Sequence, residues 1–110
     1  MKGNYLGELE ELVLLTIGVL QPQAYGVAIK DAIKAKIDRQ INISAVHTVM
    51  HRLESKGLVT SDFGESTPER GGKRKRYFQV TAEGSNALKL MKESRERLWS
   101  ELPAYVLKSN

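Results

Sequence analysis

The chain of 110 residues contains no cysteine, which excludes a disulfide framework, thiolate catalysis and metal sites built on cysteine ligands. It also lacks any apolar run near the roughly 20 residues that a membrane-spanning helix needs. Its first residues do not follow the basic-then-apolar order of a secretory signal. We therefore expect a cytoplasmic protein that does not contact a membrane.

Length and composition predict one small folded domain. A chain of this length has room for one core, and 41% hydrophobic with 27% charged residues argues against disorder. The sequence has no nucleophile elbow, phosphate-binding glycine loop or paired carboxylates, so we expect no enzymatic activity and no cofactor. The net charge of +4 instead favours a polyanionic partner.

Positive charge is concentrated in residues 70–76, where five of seven residues are basic and none is acidic. Gly71 and Gly72 allow a tight turn, and the chain continues into a short alternating strand. We predict a hairpin with a cationic tip, a wing, whose basic residues contact DNA phosphates: Arg70, Lys73, Arg74, Lys75 and Arg76. Tyr77 either stacks on the nucleic acid or packs on the sheet, and the sequence favours neither.

Two amphipathic helices are predicted in the first 40 residues. Apolar residues three and four apart over residues 6–20 predict the first helix, and its stripe is wide enough to contact both a core and a partner subunit. After Pro22, isoleucines four apart predict a second helix from residue 25 or 26 to Ile37.

A third helix is predicted to begin at an N-cap, for which we favour Asn42 over Ser44, and to end at Gly57. One face is apolar and carries Val46, Val49, Met50 and Leu53. The opposite face carries small, hydrogen-bonding or cationic side chains that suit the edges of bases: Ser44, Ala45, His47, Thr48, His51 and Arg52. A metal site on the two histidines is disfavoured, because Thr48 stands where a metalloprotease pair needs glutamate.

Beyond this helix, residues 58–63 and 77–80 predict a β-hairpin, and Thr81 caps a final helix that ends near Pro103. A helix over residues 82–102 extends about 30 Å, which is longer than so small a core can cover. The apolar residues of this helix are predicted to point inward, and those beyond the core therefore need a partner subunit to cover them. We predict a homodimer whose contact includes Leu9, Leu12, Leu88, Met91, Leu98 and Leu102.

Three helices followed by a hairpin with a cationic tip form the order of a winged helix-turn-helix, a mainly α, α+β fold. We expect a DNA-binding domain over residues 1–80 and a dimerisation helix and tail over residues 81–110. In this fold the third helix lies in the major groove and the wing contacts phosphates, so the expected partner is double-stranded DNA. The alternative is a winged helix used for contact with a protein or an RNA.

The chain also resembles the PadR-like transcriptional regulators over nearly its whole length. The resemblance lies, in order, in residues 12–20, in Ala24-Tyr25-Gly26-Val27-Ala28-Ile29, in Met50-His51-Arg52-Leu53-Glu54 with Gly57-Leu58-Val59, and in residues 74–84 with Tyr77-Phe78 and Val80-Thr81. Members of the family commonly carry a Gly-Thr-Leu-Tyr-Pro run where this chain has Ser44-Ala45-Val46-His47-Thr48. The family's aromatic contact with the DNA backbone therefore falls on His47.

That resemblance implies a homodimer, built mainly from the first and last helices, that represses transcription at a partly palindromic operator and often answers a small molecule. Trp99, the single tryptophan, lies slightly off the apolar stripe of the last helix. It either fills the dimer interface, which is the interpretation we prefer, or forms a flat wall for a planar aromatic effector between the subunits.

Overall fold

The computed structural model describes residues 6–64 and 74–108 of the chain. In order, its elements are α1 (Glu8–Leu20), α2 (Gly26–Ile37), α3 (Ile43–Ser55), β1 (Val59–Phe63), β2 (Arg76–Val80) and α4 (Ala82–Ser100), followed by a 3-10 turn (Ala104–Val106). The two strands pair antiparallel as a hairpin. The predicted α+β order of three helices, a hairpin and a long last helix is confirmed. In the two described ranges, no helix is both long and apolar enough to cross a membrane.

The buried carboxylate of Glu10 holds α1 against the end of α3. Its Oε1 accepts the backbone N–H of Gly7 at 2.9 Å, and Lys56 Nζ, just past the last turn of α3, lies 3.0 Å from both carboxylate oxygens. Burial raises the pKa of Glu10, but these donors outweigh burial and hold the pKa below its usual value. Glu10 is therefore ionised at neutral pH and keeps its bond to Lys56.

Both predicted ends of α3 are confirmed. Asn42 Oδ1 accepts the backbone N–H of Ala45 at 2.8 Å, which satisfies one of the free donors of the helix N-terminus. At the other end Gly57 has a φ of 78°, and its N–H bonds to the carbonyl of Glu54 at 3.0 Å. Glycine allows this left-handed turn because it has no Cβ, and the turn directs the chain into β1.

The hairpin is bonded to the helical body as well as to itself. Val59 pairs with Val80 at the base of the hairpin. Two backbone N–H groups of β2 reach the α1–α2 connection: that of Phe78 donates to the carbonyl of Ala24 at 2.8 Å, and that of Val80 donates to Gln21 Oε1 at 2.9 Å. The base of the wing is therefore part of the folded body.

One hydrophobic core lies between α1, α2, α3 and the base of the hairpin. The apolar face predicted for α3 is buried in full, at Val46, Val49, Met50 and Leu53. The other buried apolar residues are Leu6, Val13, Leu14, Ile17, Ala24, Ile29, Ile33, Ile41, Leu58, Val59, Phe78 and Ala87. The outward face of α3 is thereby left for other contacts.

The first half of α4 packs on this core, and the second half extends beyond it. Thr81 Oγ1 accepts the N–H of Gly84 at 3.0 Å, which confirms the predicted N-cap. The prediction that Leu98 and Leu102 point inward is wrong, because Leu98 is 70% exposed and Leu102 is 37% exposed. A helix of 19 residues extends about 28 Å, and its partly buried positions end at Met91.

Gly84 lies where α4 crosses the base of the hairpin, and a Cβ there would come within 2.2 Å of the carbonyl oxygen of Leu58. Because that neighbour is backbone, Gly84→Ala is expected to lower the free energy of unfolding by about 2 kcal/mol. Denaturant titration measures the change.

Gly18→Ala is the matched control, because it changes another helical glycine. Its added Cβ would make an ordinary contact with Val80 Cγ2 at 3.7 Å, and alanine favours a helix over glycine by about 1 kcal/mol. The two variants are therefore expected to shift stability in opposite directions. A Gly84→Ala protein as stable as the wild type would contradict the close approach of α4 and the hairpin.

Candidate nucleic-acid interface

The outward face of α3 exposes five of the six residues predicted to contact bases. The exposed side chains are Ser44, His47, Thr48, His51 and Arg52. Ala45 is instead partly buried against the core. The face therefore offers hydroxyl, imidazole and guanidinium groups to a partner, with the methyl group of Ala45 at its margin.

The imidazole of His47 lies against the first turn of α2. A Cβ at Gly26 would come within 2.7 Å of His47 Cε1. Glycine, which has no Cβ, therefore leaves room for the imidazole ring at this position. Gly26 is the first residue of α2, whose leading backbone N–H groups have no acceptor within the helix. His47 therefore stands beside the positive end of a helix dipole, a setting that suits a phosphate group.

A cleft of about 320 Å³ joins the outward face of α3 to the wing. His47 and His51 line it from α3, and Arg74, Lys75 and Arg76 line it from the wing. Of the described residues, none with a carboxylate side chain lines this cleft. The helix and the wing thus form one continuous surface, the cationic cleft, which suits a polyanion.

Lys75 and Tyr77 both pack on Tyr25, a residue that sequence reasoning did not select. Lys75 Nζ lies 4.2 Å from the centroid of the Tyr25 ring, and the rings of Tyr25 and Tyr77 meet edge to face with centroids 5.8 Å apart. Of the two roles left open for Tyr77, packing on the sheet matches this geometry. The aromatic-glycine pair at the start of α2, Tyr25-Gly26, is the sequence signal that could have found it.

Arg74 and Arg76 have different surroundings. The guanidinium of Arg74 lies 5.1 Å from the centroid of the Phe63 ring. Arg76 is bonded to protein, with Nη2 at 3.2 Å from Glu54 Oε1 and Nε at 2.8 Å from Ser61 Oγ. Across residues 6–64 and 74–108, no carboxylate pairs with Arg74. The other two predicted wing cations, Arg70 and Lys73, lie outside the described residues.

The charge of Arg52 is partly compensated. Its Nε lies 3.9 Å from Glu10 Oε2, which is too long for a hydrogen bond but close enough for attraction. The side chain is 54% exposed, so it remains accessible to a ligand.

Among the described side chains, no group of three or more His, Asp and Glu is placed to hold a metal ion.

A second cleft, of about 400 Å³, lies between α1 and α4. Leu15, Leu88 and Trp99 provide its apolar surface. Glu11 and Arg95 also line it, and Arg95 Nη2 lies 2.7 Å from Glu11 Oε1. Trp99 is 60% exposed, so the indole is accessible along the outer half of α4.

The predicted dimerisation residues fall into two groups. Four are partly buried against the core of their own chain: Leu9, Leu12, Leu88 and Met91. Leu98 is exposed but continues the face of α4 that carries Met91, seven residues earlier, and Leu102 is exposed just beyond the end of α4. The apolar stripe of α4 therefore runs from the core onto the surface.

The chain matches a family model and several solved structures. Residues 14–90 match the transcriptional regulator PadR-like family. A PadR family transcriptional regulator from Eggerthella lenta DSM 2243 is 28% identical, with 94% of this chain and 88% of that chain covered and a TM-score of 0.69. One from hypervirulent Clostridium difficile R20291 is 20% identical, with coverages of 91% and 99% and a TM-score of 0.71.

A PadR-like transcriptional regulator from Bacillus cereus strain ATCC 14579 is 16% identical, with 92% of this chain and 93% of that chain covered and a TM-score of 0.72. No curated protein matches the sequence. The family match runs from α1 through α2, α3 and the hairpin into α4, and it includes every residue that lines the cationic cleft. It spans well over half of the chain, and this protein therefore belongs to the PadR-like family of transcriptional regulators.

Proposed function

We propose that this regulator binds operator DNA as a homodimer and represses transcription from that site in the cytoplasm. The observation that carries the proposal is the cationic cleft, in which α3 and the wing share one surface. A duplex presents base edges in the major groove and phosphates beside it. One helix in the groove with a wing at its side can contact both.

The two parts of the cleft are assigned different roles. Exposed Ser44, Thr48 and His51 on α3 reach base edges and supply sequence selectivity. Arg74 and Lys75 on the wing contact phosphates and supply affinity for any duplex, and Arg70 and Lys73 are assigned the same role. His47 and Arg52, at the margins of the groove face, contact the backbone.

The dimer is proposed to form through α4 together with α1. Leu98 is exposed on the face of α4 that carries the partly buried Met91, and Leu102 is exposed just beyond the helix. Full burial of a leucine side chain contributes about 1.5–3 kcal/mol, so a second copy that covers this stripe is stabilising. Residues 1–80 then bind DNA and residues 81–110 pair the subunits. Twofold symmetry places two α3 helices on successive half-sites, which predicts a partly palindromic operator.

Selection of bound sites from random duplex DNA identifies the operator. An inverted repeat is expected, with half-site centres about one helical turn apart or a multiple of it. A single unrepeated site would contradict binding as a symmetric dimer.

A salt titration on the selected duplex tests the DNA-binding role. Five cations per subunit are assigned to the DNA backbone: Arg52, Arg70, Lys73, Arg74 and Lys75. A dimer then neutralises about ten phosphates, so the logarithm of the association constant should fall with the logarithm of salt at a slope near −9. Anisotropy of a labelled duplex at constant pH measures the slope. A flat response would remove the DNA proposal and favour contact with a protein or a folded RNA.

We also propose that a planar aromatic effector binds beside Trp99 and releases the operator. The exposure of the indole and its neighbours Leu15 and Leu88 support a flat apolar contact. Because Trp99 is the single tryptophan, quenching of intrinsic fluorescence by a panel of aromatic compounds reports binding at this place. The Trp99→Ala substitution should abolish binding of the effector, and calorimetry measures this in the variant, which has no tryptophan fluorescence. No response across a broad panel would leave Trp99 as an interface residue.

A further inference from the structure

Glu54 joins the end of α3 to both strands of the hairpin. Its Oε2 accepts the hydroxyl of Ser61 in β1 at 2.7 Å, and its Oε1 accepts Nη2 of Arg76 in β2 at 3.2 Å. Arg76 Nε in turn donates to the oxygen of Ser61 at 2.8 Å. Three side chains from three elements thus close one ring of hydrogen bonds, the Glu54 ring.

The Glu54 ring is partly open to solvent. The side chain of Glu54 is 30% exposed and that of Arg76 is 41% exposed, and Ser61 is partly buried. The Arg76 guanidinium also lies 5.2 Å from the centroid of the Phe63 ring. The ring joins its three side chains by three hydrogen bonds, so each side chain is fixed by two partners, whereas a simple ion pair has a single contact.

The Glu54 ring contacts the hairpin at a different position along β2 from the hydrogen bonds to the α1–α2 connection. Those bonds fix β2 at Phe78 and Val80, near its base. The Glu54 ring fixes it at Arg76, the first residue of β2 and the one nearest the tip. Two separated attachments set the direction of a hairpin, whereas one alone would leave it free to tilt.

We propose that Glu54 is a positioning residue that sets the wing relative to α3, and that Arg76 anchors the wing instead of contacting phosphate. The inference rests on the proposed function. A helix in the groove and a wing on the backbone engage one duplex together when their separation is held, because ordering a loose wing would otherwise weaken binding. Arg74 and Lys75 remain the phosphate contacts.

Charge alone makes the opposite prediction for Glu54→Gln. Removing an acid beside DNA should tighten binding to every duplex. Loss of positioning should instead weaken binding to the selected operator by about 3- to 10-fold, the worth of a hydrogen bond or two. Binding to random duplex should be undiminished, because it depends on the number of cations and needs no fixed geometry. A purely structural defect would weaken both.

Arg76→Lys is compared with the same substitution at an arginine outside the cleft. Lysine keeps the positive charge but cannot make the forked contacts to Glu54 and Ser61. Arg76→Lys is therefore expected to reduce operator affinity as much as Glu54→Gln does. Arg39→Lys is the better-matched control, because Arg39 also pairs with a glutamate, Glu8, but does not line the cationic cleft. It should bind operator within about twofold of the wild type. The double variant Glu54→Gln/Arg76→Lys should bind no more weakly than either single variant, because both break the same ring.

Amide hydrogen exchange gives a readout without DNA. The N–H of Gly64 bonds to the carbonyl of Lys75 at 2.8 Å, just beyond the ring, and its exchange should become faster in Glu54→Gln while the core of α3 is unchanged. Thermal unfolding checks that the variant is folded. Ser61→Ala removes the shared hydroxyl and serves the same test where Glu54→Gln folds poorly.

The outcomes separate this inference from the proposed function. Absence of duplex binding by the wild-type protein would remove the proposed function itself. Wild-type binding together with an unchanged or tighter Glu54→Gln complex would overturn the positioning role, as would unchanged exchange at Gly64. An Arg76→Lys protein that binds operator within about twofold of the wild type would return Arg76 to the phosphate contacts, because lysine keeps the charge that such a contact needs.

Discussion

Leu98→Glu is expected to convert the proposed dimer into a monomer and to weaken operator binding by about 100-fold or more. Leu98 is 70% exposed in one chain and lies on the apolar stripe of α4, so the substitution would bury a charged side chain in the proposed subunit contact. A monomer binds one half-site and loses the gain in affinity from two linked sites, which is a factor of about 10² to 10⁴. Sedimentation and titration of labelled operator measure the two effects.

Asn86→Glu is the control for charge on the same helix. Asn86 is exposed and lies off the apolar stripe, so this variant should remain dimeric with operator affinity near that of the wild type. A duplex with a single half-site adds a second comparison, because it should bind Leu98→Glu and wild-type subunits with similar affinity. A dimeric Leu98→Glu protein would place the subunit contact elsewhere.

Thr48→Ala and His51→Ala are expected to change which sequences the protein prefers. Both side chains are exposed on the outward face of α3, within reach of base edges when the helix lies in the major groove. Removing one base contact should weaken operator binding by about 1–3 kcal/mol and leave binding to random duplex almost unchanged. Repeating the site selection with each variant should show relaxed preference at particular base pairs.

Arg74→Ala is the contrasting variant from the wing. It should weaken binding to operator and random duplex alike and flatten the salt slope by about one unit for each phosphate that is no longer neutralised. In a dimer the substitution affects two phosphates, one beside each subunit. Equal, sequence-blind weakening in the α3 and wing variants would contradict the division of roles between helix and wing.

Local signals in the sequence were sufficient to predict where α3 and α4 begin and where α3 ends. Asn42 and Thr81 cap their helices as expected, and Gly57 adopts the left-handed conformation expected after a helix. These features depend on a few neighbouring residues and on the stereochemistry of one position. The buried face of α3 was predictable for the same reason, because helical periodicity fixes which side chains share a side.

Side-chain partners that are distant in sequence were not predictable. Glu54 entered the sequence analysis only as part of a family motif, yet its carboxylate bonds to Arg76, 22 positions later. Tyr25 was noticed within a family motif, but its contacts with Lys75 and Tyr77 depend on how α2 meets the hairpin. Such contacts arise from packing, so composition and spacing give no direct signal for them.

The sequence by itself determined the order of elements, the outward face of α3 and the concentration of positive charge before β2, because period, capping and charge are local properties. The tertiary structure alone decided that these features meet in one cleft and that Arg76 is bonded to Glu54. It also decided that Leu98 is exposed, since the core ends before α4 does. Burial and pairing depend on which surfaces come together, and that is settled when the chain folds.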